Sequence, residues 1–125
     1  MTAPSASTRI LVVDDDKSVR DALTRLLTQR GYAVESAPTG EDALKQLAAR
    51  KFNVMLLDVR MPGISGIDVL PRALDLHADL VIIMLTGVSD LTTAARAMQR
   101  GARDFLTKPI DLAQLTAAID RTLVR

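Results

Sequence analysis

The sequence predicts a single α/β domain: one doubly wound, five-stranded parallel sheet with helices on both faces. Two observations lead there. Runs rich in Ile, Val and Leu alternate five times with segments whose apolar residues recur at helical spacing, as in a parallel sheet covered on both sides. A chain of 125 residues is also one domain's worth, long enough to bury a real core. Right-handed crossovers leave few topologies, and the flavodoxin-like order 2-1-3-4-5 is the common one at this size.

The strands are expected at ILVV (10–13), the weaker YAVESA (32–37), NVMLL (53–57), LVIIML (80–85) and DFLT (104–107). The first helix carries Val19, Ala22, Leu23, Leu26 and Leu27 on one stripe, with Gly31 beyond its end as a left-handed cap. The second has Ala43, Leu44, Leu47 and Ala48, with Thr39 as N-cap and Asp42 three residues on. A third helix within residues 66–75 meets Pro71, which lacks an N–H; it either starts late, near Leu70, or is kinked. The fourth shows Leu91, Ala94, Ala95 and Met98 and stops at Gly101. The last has Leu112, Leu115 and Ile119 behind a capping Asp111. Residues 1–8 read as a short disordered lead and residues 9–125 as the domain.

Bulk properties exclude several classes. A net charge of +1 gives no strong field for a nucleic-acid or membrane surface. There is no Cys, so neither disulfides nor thiolate metal sites hold the fold, which fits a reducing compartment. The longest apolar run, LVIIML, is far too short to span a bilayer, and MTAPSAST lacks a signal-peptide pattern. A cytoplasmic location is the expectation.

In an open α/β sheet, ligands bind beyond the carboxyl ends of the strands, so the residues after each run matter. Asp14, Asp15 and Asp16 follow the first, Asp58 the third, Thr86 and Gly87 the fourth, and Lys108 and Pro109 the fifth. Each alone has a local explanation: Asp16 as the N-cap of the first helix, Asp58 as the start of a turn before Met61-Pro62-Gly63, Thr86 as a loop hydroxyl, Lys108 as a solvated ammonium. The expected strand order instead gathers Asp14, Asp15 and Asp58 at the switch point, where like charges need a compensating cation. With oxygen ligands and only His77 as an imidazole, that cation is hard, and Mg²⁺ fits. A carboxylate there can act as a nucleophile toward phosphorus, with Thr86 and Lys108 serving phosphoryl oxygens.

In order and spacing, ILVVDDD, LLDVRMPGISG, IIMLTG and DFLTKP resemble the signature segments of response-regulator receiver domains of two-component signalling. The resemblance covers nearly everything after the first eight residues. It implies that Asp58 is the phosphoacceptor, supplied by a partner histidine kinase or phosphotransfer protein. It implies Mg²⁺ held directly by Asp15 and through water by Asp14, with Asp58 and the backbone carbonyl of Arg60 as further ligands. Thr86 becomes the switch hydroxyl, Lys108 the partner of the phosphoryl oxygens across a cis Lys108–Pro109 bond, and Phe105 either the switch aromatic or a core side chain. Arg60 and Val88 overhang the phosphoryl group, and Arg60 contacts either it or a nearby carboxylate.

The resemblance also implies output through the face formed by the fourth helix, fifth strand and fifth helix, controlling an output domain or a self-dimer. Thr92, Thr93, Arg96 and Gln99 are either an interface there or a solvated face. DVRMPG and QRGARDFLTKP look like receivers that precede transcriptional output domains. No helix-turn-helix, ATPase loop or basic arm occurs within this sequence, so direct nucleic-acid binding is not expected of it. Two other functions compete. An aspartate-nucleophile phosphatase needs an acid two residues past the nucleophile, where Arg60 stands. A non-phosphorylated scaffold usually lacks part of the acid–lysine set, all of which is kept here.

Overall fold

The computed structural model describes residues 8–123. Five strands, β1 (Arg9–Val13), β2 (Ala33–Ala37), β3 (Val54–Asp58), β4 (Val81–Thr86) and β5 (Asp104–Thr107), form one parallel sheet in the order β2-β1-β3-β4-β5. The connections carry α1 (Lys17–Gln29), α2 (Gly40–Ala49), α3 (Gly66–Leu76) and α4 (Leu91–Gln99), and α5 (Leu112–Leu123) follows β5. The expected order holds. Of the expected eight-residue lead, residues 1–7 lie outside the described residues, and the Thr8 carbonyl accepts from the Ala33 N–H.

Strand alternation divides the core into two layers. Leu11, Val13, Met55, Leu57, Ile82 and Met84 face α2, α3 and α4, meeting Ala43, Leu47, Val69, Leu70, Ala73 and Ala97. Ile10, Val12, Val54, Leu56, Ile83 and Leu85 point the other way, onto Leu23 and Leu27 of α1 and Leu115, Ala118 and Ile119 of α5. Every residue of β3 and β4 is buried, which is why these runs read as continuous apolar stretches. The edge strands differ from the expectation of burial on both faces. β5 is largely half-buried, with Phe105 36% exposed, and β2 is covered mainly at its end. On β2, Glu35 is flanked by Arg9 at 3.2 Å and Arg50 at 2.6 Å.

Capping chemistry fixes the helix ends. Asp16 accepts from the Ser18 N–H at 2.9 Å and Thr39 from the Asp42 N–H at 3.1 Å, as expected. Asp111 accepts from the Gln114 N–H at 3.1 Å. Gly31, at φ 100, lies just past the end of α1 in the left-handed region.

Some helical expectations need correction: Ala22 and Ala48, expected on the apolar stripes of α1 and α2, are exposed. Of the two readings of α3, the late start near Leu70 is excluded: the helix begins at Gly66 and runs through Pro71. The missing N–H there takes the bond from one turn's carbonyl, while the ring faces solvent and the apolar face (Val69, Leu70, Ala73) still docks. In α4 the buried residues are Ala94 and Ala97, whereas Leu91, Ala95 and Met98 face outward. Small side chains let this short helix sit close to β4, and that turns the larger apolar residues to the surface. Thr92, Arg96 and Gln99 are exposed there, and Thr93 is half-buried.

Candidate functional site

Sheet register builds the site. Val13 pairs with Leu57, so one further step along each strand sets Asp14 beside Asp58. Asp58 and Thr86 prove to be the last residues of β3 and β4 rather than the first of the following loops. Thr86 pairs with Thr107, and the next residue, Lys108, donates its backbone N–H to the Thr86 carbonyl at 2.8 Å. Four of the residues singled out in the sequence, Asp14, Asp58, Thr86 and Lys108, therefore follow from four neighbouring strands, β1, β3, β4 and β5, ending at one level.

Asp14 and Thr86 are fully buried and Asp58 nearly so, while Asp15 is exposed at the rim. One carboxylate oxygen from each of Asp14, Asp15 and Asp58 lies within 4.8 Å of the others. Lys108 Nζ reaches in to 2.8 Å from Asp14 Oδ2 and 3.4 Å from Asp58 Oδ1. Its contact with Asp14 is an ion pair rather than an aligned hydrogen bond, so buried Oδ2 keeps unused lone pairs. Asp14 Oδ1 accepts from the Asp16 N–H at 2.9 Å, and the Arg60 N–H donates to Asp58 Oδ1 at 3.3 Å. Asp16 itself caps α1, as the local reading of that residue had it. The Lys108–Pro109 peptide is cis.

The electrostatics follow from burial and crowding. Loss of hydration, then repulsion from Asp14, raises the pKa of Asp58 to about 7; Lys108 and the Arg60 N–H pull the other way without reversing it. Burial alone would lower the Lys108 pKa, but the two carboxylates more than offset this and it is raised. One ammonium is thus too little for the acidic group. Three converging carboxylates that share a single ammonium suit a divalent cation of the hard, oxygen-seeking kind.

Thr86 donates its hydroxyl to the Gly87 carbonyl at 3.1 Å, so it is engaged away from Asp58. Val88, 70% exposed, lies in the segment that joins β4 to α4. His77 is separate from the site: its Nε2 lies 2.7 Å from the Leu47 carbonyl, tying the end of α3 to α2.

The comparisons with known proteins fit this geometry. The family profile of the response regulator receiver domain matches residues 10–120. The chain belongs to that family. This receiver is 38% identical over 112 residues to the DNA-binding transcriptional regulator NtrC of Klebsiella pneumoniae, covering 90% of this chain and 24% of NtrC. It is 40% identical over 119 residues to the response regulator MprA of Mycobacterium ulcerans, covering 95% of this chain and 51% of MprA. The chain thus spans a quarter to a half of these relatives. Among solved structures, the response regulator TrrA of Thermotoga maritima in complex with Mg²⁺–BeF superposes with a TM-score of 0.82 at 32% identity, covering 93% of this chain and 99% of TrrA. Among the described residues, no helix of the receiver is long and apolar enough to cross a membrane.

Three residues at the site escaped sequence reasoning. Arg20 of α1 donates to the Asp14 carbonyl at 2.8 Å and so braces the acidic loop. Glu41 of α2 accepts from the Ile64 N–H at 3.4 Å, steadying the loop after β3. Asp90 is 9% exposed and pairs with Arg60. The one available signal was position, because each lies at or within the first turn or so of a helix, and for Arg20 and Asp90 that helix follows a site strand.

Proposed function

We propose that this receiver is a phosphoacceptor switch, with Asp58 as the acceptor. The observation that carries the reading is Lys108 Nζ bridging Asp14 and Asp58 beside Asp15, at the carboxyl ends of adjoining strands. The donor is a phosphohistidine on a partner kinase or phosphotransfer protein. An Asp58 carboxylate oxygen attacks phosphorus and forms the new P–O bond of an acyl phosphate. The P–N bond breaks, and its electron pair stays on the departing imidazole nitrogen.

Mg²⁺ is the divalent ion in this proposal, and it would neutralise charge building on the phosphoryl oxygens. Asp14, Asp15, Asp58 and the Arg60 carbonyl would hold it. Lys108 pairs with a phosphoryl oxygen, and Thr86 turns from the Gly87 carbonyl to meet another. That turn drags the loop leading into α4, a two-state element biased by one covalent event. Output passes through the α4–β5–α5 face, where Val88, Leu91, Met98 and Phe105 are already exposed, to an output domain or a second copy. Phe105 follows the movement of Thr86. A cytoplasmic location accords with this role.

A turnover phosphatase is disfavoured by Arg60, which occupies the position of the acid that chemistry needs. Incubation with acetyl phosphate and Mg²⁺, followed by intact-mass measurement, tests the proposal. Wild type gains one phosphoryl group, while Asp58→Asn and a chelated sample gain none. An unmodified wild-type mass would end the proposal, and sustained phosphate release without an adduct would favour the enzyme.

A further inference from the structure

Arg60 lies two residues past Asp58 and Asp90 four past Thr86. The Arg60 side chain leaves the loop after β3 and crosses to the start of α4, where Nε and Nη2 each stand 2.8 Å from Asp90 Oδ1. Among the described residues no other ion pair joins these two segments. The partners are unequal, because the Arg60 side chain is 76% exposed and that of Asp90 11%. A sheltered carboxylate without a cation is costly, whereas an exposed guanidinium loses little by changing partners. Asp90 also occupies the N-cap position of α4, yet its side chain makes no cap hydrogen bond; it is held by Arg60 instead.

We propose that Asp90 is a positioning residue that holds the Arg60 guanidinium in the unmodified protein. A phosphoryl group on Asp58 draws Arg60 off Asp90 and onto phosphoryl oxygens, releasing the start of α4. The inference rests on the phosphoacceptor reading and deepens it. The Arg60 N–H already donates to Asp58 Oδ1, so the root of the side chain is at the acceptor. A phosphoryl dianion with three strong acceptors outcompetes one carboxylate oxygen for the guanidinium fork. Asp90, once released, faces the unpaired N–H groups of its own helix and takes up the capping role it now forgoes. Charge placed on Asp58 is thereby converted into a re-aimed α4, beside exposed Val88 and Leu91.

The test is a double-mutant cycle with Asp90→Asn, Arg60→Gln and the pair, read as affinity for beryllofluoride in Mg²⁺. Asp90→Asn tightens binding about two- to fivefold, the range a partly exposed ion pair can hold back. Arg60→Gln weakens it, and in that background Asp90→Asn has no effect. An equal effect of Asp90→Asn with and without Arg60, or none in either, overturns the proposal. Amide hydrogen exchange at residues 87–93 without any ligand separates the two layers of inference. Both single variants exchange faster there than wild type, and the double no faster than either; equal exchange in all four proteins overturns the latch even if beryllofluoride binds. If no protein, wild type included, binds beryllofluoride, the phosphoacceptor reading falls and this inference with it. Asp90→Asn keeps the side-chain shape and Arg60→Gln changes an exposed group, so the cycle reaches the contact from both sides.

Discussion

Asp58 is held ready by the same surroundings that penalise its charge. Its pKa is raised from 3.8 to about 7 by burial first and Asp14 second. Below about pH 4 the group is protonated folded and unfolded, and costs nothing. As pH rises from there to about 7, the unfolded chain gives up the proton while the folded one keeps it, so the stability this group contributes declines and is gone above about 7. In metal-free buffer, Asp58→Asn should therefore be more stable than wild type at pH 8, by on the order of 2 kcal/mol, with the difference fading toward pH 4. Urea unfolding in chelator at both pH values checks this, and a pH-independent difference would contradict it. The residues that carry charge into the site were legible because they follow apolar runs directly. Asp90 was not, since nothing in a local pattern says that a first-turn acid is buried or that an arginine thirty positions away will reach it. Only folding brings the two together.

At the scale of elements, the start of α3 sets how precisely the acceptor is held. A methyl group on Gly66 would run into the backbone carbonyl of Asp58, with Val59 Cα only 3.1 Å away. The Gly66 N–H meanwhile donates to the Val59 carbonyl at 3.0 Å. Ala is the better helix former by up to about 1 kcal/mol, but overpacking against backbone that cannot yield costs about 1–3 kcal/mol. Gly66→Ala should lower stability by roughly 1–2 kcal/mol on balance, and slow phosphorylation by acetyl phosphate by displacing Asp58; denaturant melts and intact-mass time courses test both effects. Helix periodicity predicted the leucines of α1, α2 and α5 well, because each has a Leu-bearing stripe, but it wrongly turned Ala22 and Ala48 inward. It failed in α4, where two alanines do the packing and the larger residues face solvent. It faltered at Pro71, because local backbone rules overlook how much α3 gains by docking Val69, Leu70 and Ala73.

For the whole molecule, two apolar layers on either face of the sheet hold the fold together, and the acidic site is an addition at its rim. Metal should consequently strengthen the domain without being needed for it, unlike a metal-nucleated fold. Mg²⁺ at a hundred times its dissociation constant should stabilise by about 2.7 kcal/mol, a rise in melting temperature on the order of 10 °C. Chelation should reverse the shift and leave a cooperative transition, and Asp15→Asn should abolish the shift; a protein that unfolds on chelation would refute this ordering. Strand order was legible in the sequence because alternation, length and handedness leave few choices. The exposure of the edges was not, because a short apolar run reads alike at the centre and the border of a sheet.

That border has a consequence for life at high concentration. The outer side of β2 offers backbone amides on which another copy could zip itself, the first step toward self-polymerisation. Any intruding strand must strip water from Glu35 and the two guanidiniums beside it, and so the outermost strand guards solubility with the same ions that decorate its surface.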